Sequence, residues 1–299
     1  MPNDLETLEE CPVCRHQVFL PWRQCQDHLV SQATFQLVAC QSCGFIFTNP
    51  RPTESHIAAY YQSEQYQSHS QQKGGFFQKT YQWVRQKMQR RKLALVQTLA
   101  PQTGRLLDVG CGLGTFLRTC QQAGWAVEGI EPNPQAATIA HKETGAIIYS
   151  SIFDPAIAPS YEVISLWHVL EHVHRLEETM LTIKRLLHPK GVLLIAMPNV
   201  ASQYEIELFQ SYWAPFDVPR HLYHFSPVTF SKFLLNFQFK IESVEPLLWD
   251  SYYACLMSEK YSTSKFHWFK AAWRGYHSNQ WAKRHQNNHS SLIYCIRNT

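Results

Sequence analysis

The chain has no apolar run long enough to cross a bilayer. Its longest, such as Val192–Met197, are strand length, whereas a membrane helix needs about 20 consecutive apolar residues. A lopsided charge is also missing. Over 299 residues, 27 Lys and Arg stand against 23 Asp and Glu, and a scattered net +4 argues by itself for no nucleic-acid or membrane partner. The first residues, Met1-Pro-Asn-Asp-Leu-Glu6, contain neither a basic nor an apolar stretch. No secretory signal is visible, so the expectation is a cytoplasmic protein. Disulfide spacing is absent too. Of nine cysteines, four fall in two tight pairs and the rest stand singly among apolar residues, which in a reducing compartment reads as one metal site plus buried thiols. What remains is a globular composition with room for one large domain and a small module.

The tight pairs are Cys11-Pro-Val-Cys14 and Cys40-Gln-Ser-Cys43, the second followed by Gly44. A C-x-x-C turn brings two thiolates onto one tetrahedral ion, and two such pairs close its coordination sphere, so the expected metal is a structural zinc. Short strands over Gln17–Trp22 and Thr34–Ala39 would make the stretch 8–52 a zinc-ribbon-like module. It has too few apolar residues for a core of its own, so the ion would supply much of its folding energy. Cys25 and His28 are less suitably placed and are left out. The plainer alternative is a redox C-x-x-C or ordinary core cysteines. Phe45–Pro52 reads as a strand stopped by prolines, and 53–91 as a linker with a lead-in helix over Lys79–Leu99. The polar Tyr60–Gln72 stretch is a linker or a lid. Its tyrosines lack the accompanying Lys and Arg of a base-stacking surface, so no nucleic acid is expected.

Farther on, the apolar strand Leu106–Val109 enters a turn with Gly110, Gly112 and Gly114, and a helical pattern leaves it. Glycine allows positive φ and close approach of a ligand to the backbone. Glu131 ends the next strand, where a carboxylate can accept hydrogen bonds from ribose hydroxyls. The spacing is G-x-G-x-G rather than the dinucleotide G-x-G-x-x-G. Asp108 beside the turn would repel a pyrophosphate but attract an ammonium or sulfonium.

Here the chain resembles the class I S-adenosylmethionine-dependent methyltransferases. Asp108-Val-Gly-Cys-Gly-Leu-Gly114 matches that family's first motif, and Glu131 its ribose-binding acid. The resemblance implies an α/β fold over 92–299, with a Rossmann-like sheet of seven mostly parallel strands whose last is antiparallel. Alternating strands and helices from Arg105 agree with this. Leu187–Gly191 reads as a turn before the fifth strand, enforced by Pro189. The implied cofactor residues are Asp108, Gly110, Cys111, Gly112, Gly114 and Glu131. Ser151, Ile152 and Phe153 would flank the adenine, and Trp167 and His168 would line the methionine end. Asp154 is read either as a partner of the adenine amino group or as an N-cap.

The acceptor half is less specified. His168, Glu171, His172 and His174 crowd one segment, and the four-residue spacing of His168 and His172 would put both on one face of a helical turn. A Glu171–His172 acid–base pair would serve methyl transfer. A metal site from all four is the sharper alternative, and pocket-shaping without chemistry the blander one. The loop 212–227, dense in aromatics and stiffened by Pro215, Pro219 and Pro227, offers His221 and His224 as bases. They could equally, with Arg220, only tie the loop down. Ser226-Pro-Val-Thr reads as a helix start. An insertion at about 252–285, rich in Trp, Tyr and basic residues, is expected to pack its aromatics on the core, the alternatives being an acceptor cover, a dimer contact, or a surface for a membrane or anionic substrate. The candidate catalytic residues are thus His172, His221 and His224, and the metal ligands Cys11, Cys14, Cys40 and Cys43. The expected activity is methyl transfer to a small-molecule, saccharide or lipid-linked acceptor. A nucleotide sugar is suggested by analogy with sugar C-methyltransferases that carry a cysteine knuckle. The alternatives are an RNA methyltransferase docked by the zinc module and a non-catalytic cofactor-binding or interaction protein.

Overall fold

A computed structural model describes residues 4–62, 76–262 and 268–299, with the backbone alone at 76–83. Most of the expected linker or lid, and the segment of the insertion that holds Lys265, lie outside the described residues.

Alternation along the strands decides the layers. In β6 (Arg105–Val109), Leu106 and Leu107 are both fully buried but belong to opposite faces, as the two-residue period of a strand requires. Leu107, Ile164 and Ile195 face Met180 and Ile183 of helix α4 (Leu176–Leu186) and Phe230 and Phe233 of α6 (Pro227–Leu235). Leu106, Val163 and Leu194 face Val96 of α1 (Phe76–Leu99) and Leu117 of α2 (Thr115–Gln122). Strands buried on both faces must read as continuous apolar runs, and these do. At about 1.5–3 kcal/mol for each such side chain removed from water, the two faces supply most of the driving force.

The sheet has seven strands in the order β12-β13-β10-β9-β6-β7-β8, with β8 (Ile148–Tyr149) at one edge. Strands β6, β7 (Ala126–Ile130), β9 (Tyr161–Trp167) and β10 (Leu187–Pro198) run parallel. The last strand, β13 (Ser291–Asn298), runs antiparallel between β10 and β12 (Phe239–Pro246). This is the Rossmann-like arrangement that the resemblance implied. Helix α3 (Pro134–Thr144) opens on Asn133, which accepts from the Gln135 and Ala136 N–H groups, and closes on Gly145 at φ +67°. Ser226 and Thr229 form a capping box around Pro227, as the sequence indicates.

Two local expectations are corrected. Leu187–Gly191 is no turn before the strand: Leu187 already pairs with Tyr161, and the register shifts between Leu187 and Val192, so Pro189 sits in a bulge. A proline at a bulge removes no ladder hydrogen bond. The insertion also does not pack its aromatics inward. It folds as α7 (Asp250–Ser262) and α8 (Trp268–Arg284), and the buried face of α8 is Ala271, Gly275, Ser278, Asn279 and Ala282. A Cβ on Gly275 would lie 2.9 Å from the Tyr252 Cα, so the helices approach too closely for large side chains between them. Trp268, Phe269, Trp273 and Tyr276 are left exposed.

The N-terminal segment forms its own sheet, from β2 (Phe19–Gln26), β3 (Thr34–Cys40) and β4 (Ile46–Thr48), completed by β11 (Tyr223–His224) from the 212–227 loop. Tyr223 pairs with Phe47 and His224 with Ile46. A further pair, β1 (Leu5–Glu6) on β5 (Arg51–Pro52), ties the start of the described chain to its exit from this sheet. Phe45 and Phe47 share one core cluster with Leu107 and Met180.

Candidate active site

Strand register brings the cofactor candidates to one edge. Val109 pairs with Ile130 on one side and Leu166 on the other, so Gly110, Glu131 and Trp167 leave their strands side by side at the carboxyl end. Ligands bind at that end of an open parallel sheet. The Gly110 and Cys111 N–H groups donate to the Ile130 carbonyl. Glu131 Oε2 accepts from the Gly112 N–H and Oε1 from the Asn133 N–H, both at 2.9 Å. Gly110 and Gly112 have φ of +71° and +56°, where a side chain is strained. A Cβ at Gly110 would strike Val169 at 2.5 Å, whereas at Gly112 nothing lies within 4 Å. One glycine serves packing and the other faces open space.

Asp108 is buried beneath this turn and accepts a 2.6 Å hydrogen bond from Ser165 Oγ. Burial pushes its carboxyl up to about 7, against the pull of Ser165 and Lys92. Lys92, on α1, lies 4.1 Å from the Trp167 ring centroid, and desolvation lowers its ammonium to about 8. Sequence reasoning missed Lys92, because nothing in a helical pattern marks which turn meets a strand end. Ile152 is buried in the main core, Phe153 packs at its edge under Arg175, and Ser151 Oγ accepts from the Phe153 N–H. Asp154 Oδ1 caps its own turn by accepting from the Ala156 N–H.

The histidine segment departs from expectation. Only Leu170–His172 winds into a helical turn, and His168 precedes it with φ +58°. His168 and His172 therefore take separate partners. His168 Nε2 lies 2.9 Å from Asp250 Oδ2 of the insertion, and Nδ1 lies 3.4 Å from Glu171 Oε1. Burial alone would lower this imidazole, but Asp250 and then Glu171 outweigh it and hold it up at about 10. Glu171, fully buried, would be raised by desolvation, and the His168 cation instead brings it to about 2. Its ion pair is thus with His168, not His172. Asp250 is the second residue missed, since its role depends on how the insertion packs.

The four-residue metal alternative is not assembled: His174 bonds the Pro52 carbonyl and His168 is held by Asp250. The structure instead gathers Glu171, His172 and His221, with one ligand atom from each within 4.8 Å of the others. His172 and His221 meet edge to face at 4.6 Å. His172 Nδ1 is 3.0 Å from both the Arg220 carbonyl and the Tyr61 hydroxyl, and His221 Nδ1 is 2.7 Å from the Pro215 carbonyl. A carbonyl can only accept, so both Nδ1 atoms carry protons, and His221 Nε2 lies 4.0 Å from Asp217 Oδ2. Burial and then His221 lower His172 to about 4, and the same two causes lower His224 to about 3. His224 faces Thr48 Oγ1 at 3.4 Å, and Arg220 is buried between Asp27 and Asp217. Arg220 does tie the loop down.

At the N-terminus Cys11, Cys14, Cys40 and Cys43 gather with all four Sγ atoms within 4.8 Å. Two of the gaps, Cys11–Cys43 and Cys14–Cys40, are 3.6 and 3.5 Å. A tetrahedral ion with Zn–S near 2.3 Å needs edges of about 3.8 Å, so the donor set fits zinc. The residue after each pair, Arg15 and Gly44, takes positive φ and donates its N–H to the first cysteine's carbonyl. Cys25 and His28 lie outside the cluster, His28 stacking on Tyr261.

A family model described as a methyltransferase domain matches residues 82–244, more than half of the chain. Curated relatives include the ubiquinone biosynthesis O-methyltransferase of Rickettsia canadensis, 24% identical over 156 residues, covering 48% of this chain and 66% of that protein. The enzyme of the same name from Rhodopseudomonas palustris is 31% identical over 101 residues, covering 32% and 40%. The chain thus spans less than two thirds of the length of these relatives. Among solved structures, magnesium protoporphyrin IX methyltransferase from Synechocystis PCC 6803 with bound SAH aligns with a TM-score of 0.52 at 13% identity, over 83% of this chain and all of that one. At that identity the likeness is one of fold.

Proposed function

The chain belongs to the methyltransferase-domain family, and on that premise we propose that it transfers the methyl group of S-adenosylmethionine to a small-molecule, saccharide or lipid-linked acceptor. The observation that carries this reading is the carboxyl edge of the sheet, where register aligns the open glycine turn, Glu131 and Trp167. The residues present fit the cofactor. Gly112 leaves room for a ligand, Glu131 has lone pairs left for ribose hydroxyls, and the buried Trp167 Nε1 has no hydrogen-bond partner among the described residues.

Bound S-adenosylmethionine supplies a methyl group made electrophilic by its sulfonium. The chain's own task is alignment and at most one proton transfer. Glu131 and the Gly110–Gly114 turn would hold the nucleoside, with Ser151, Ile152 and Phe153 beside the base. Asp108, Lys92, Trp167 and His168 would bound the amino-acid end. His172 and His221 are the proposed proton acceptors, and neutrality at physiological pH leaves His172 able to act. His224 is assigned to positioning the loop against Thr48. The four cysteines are assigned a structural zinc, and their free thiol companions suit the cytoplasm.

Calorimetry with S-adenosylhomocysteine tests the cofactor reading. Micromolar binding is expected, and an absence of heat would sink it. Labelled methyl transfer to fractionated small-molecule extracts then tests the acceptor class.

A further inference from the structure

Between α1 and the α7–α8 insertion lies a cavity of about 510 Å³, within the range of small-molecule sites. Its walls are largely apolar and aromatic, from Met88, Trp249, Tyr252 and Tyr276, and its lining also includes three cationic residues, Lys87, Arg91 and Lys283. No carboxylate lines it among the described residues. The cavity adjoins the proposed site on two sides. Met88 packs in one cluster with Trp167, and Asp250, next to Trp249, is ion-paired to His168. Lys92, over Trp167, is one helical turn on from Met88.

We propose that this cavity binds the methyl acceptor, and that the acceptor is an anionic amphiphile: an apolar, ring-bearing or chain-like body with a phosphate or carboxylate held by Arg91 and Lys283. The proposal rests on the methyltransferase reading above and names its substrate class. Three observations meet here. The inverted packing of α8 turns small residues inward and leaves Tyr276, 51% exposed, as part of the cavity lining. Arg91 and Lys283 come from different helices, with Lys87 beside Arg91 in the lining, and burial and then Lys283 and Arg91 keep His289 below its ordinary range. Finally, no carboxylate is in the lining among the described residues, and Asp250, next to Trp249 in sequence, is paired with His168.

The test uses the full chain and two fluorescent probes of similar ring body, anionic 1-anilinonaphthalene-8-sulfonate and neutral N-phenyl-1-naphthylamine. The wild type should bind the anion at least tenfold more tightly. An Arg91→Gln/Lys283→Gln double variant should lose at least tenfold in anion affinity, keep the neutral probe within twofold, and keep its affinity for S-adenosylhomocysteine. Met88→Trp, which fills the apolar end, should weaken both probes. Anion binding unmoved by the double substitution overturns the proposal, as does a neutral probe that falls in parallel. Vesicles separate the two sources of the anion. Displacement of the probe by phosphatidylglycerol but not phosphatidylcholine vesicles supports a lipid headgroup, and displacement by a soluble alkyl phosphate alone supports a free acceptor. Failure to bind S-adenosylhomocysteine would instead remove the methyltransferase reading, and the acceptor assignment with it.

Discussion

The glycine turn and the histidine cluster sit at the same edge of the sheet but are held in opposite ways. At the turn the fixing contacts are main-chain groups: Gly110 and Cys111 N–H to the Ile130 carbonyl, and Gly112 and Asn133 N–H to Glu131. Two neighbouring strand ends suffice. The cluster draws on Glu171 and His172 from after β9, His221 from the 212–227 loop, Thr48 of the N-terminal sheet, which donates to the His221 carbonyl, Tyr61 beyond it, and Asp250 from the insertion through His168. A site made from adjacent backbone tolerates loss of distant elements. One made from many segments inherits the stability of each.

Removal of metal from the cysteine cluster should separate the two ends most sharply. The ion is expected to contribute on the order of 10 kcal/mol, and β11 is a strand of the same small sheet. Chelation, or Cys40→Ala, should abolish methyl transfer and lower the melting temperature while leaving much of the S-adenosylhomocysteine affinity; mass spectrometry should count one zinc per chain beforehand. Equal loss at both ends would break the comparison. Next in size is Arg220→Met, which strands the fully buried Asp27 and should cost about 3–5 kcal/mol in urea unfolding.

Glu131→Ala is expected to act at the other end. Binding of S-adenosylhomocysteine should weaken ten- to a hundredfold, about 1.4–2.7 kcal/mol, with a smaller effect on unfolding. Gly112→Ala places a side chain at φ +56° without a clash, so its stability cost should be about 1–2 kcal/mol. Calorimetry and thermal melts read both.

The smallest expected effect is on pH dependence. His172 and His224 titrate at about 4 and 3 when folded, against about 6.5 when unfolded. The unfolded chain therefore binds more protons from pH 6.5 downward, and stability falls as pH falls through that window. His224→Gln should remove about one proton's worth of that slope. His168 has the opposite sign: raised to about 10, it contributes fully below about pH 6.5 and is lost as pH rises toward 10.

Legibility follows the same division. The two cysteine pairs, the glycine turn and Glu131 were readable because each function lies in a few consecutive residues with fixed backbone geometry. Strand positions were readable from doubly buried apolar runs. The Leu187–Gly191 bulge was not, because a proline looks the same in a turn and in a bulge, and only pairing with Tyr161 separates them. The inverted face of α8 also escaped. Aromatics at helical spacing normally mean core, and here Gly275 brings the Tyr252 backbone too near for that.

By itself, the sequence determined the sheet, the reagent its edge is shaped for, and the four thiols that gather at the N-terminus, since each rests on local backbone geometry or on short-range alternation. Only the tertiary structure decided that His172 meets His221, that Glu171 answers to His168, that Asp250 and Lys92 reach the same edge, and that a cationic, aromatic cavity opens beside it. Those are contacts between residues far apart in the chain. Packing sets them, and no spacing in the sequence encodes them.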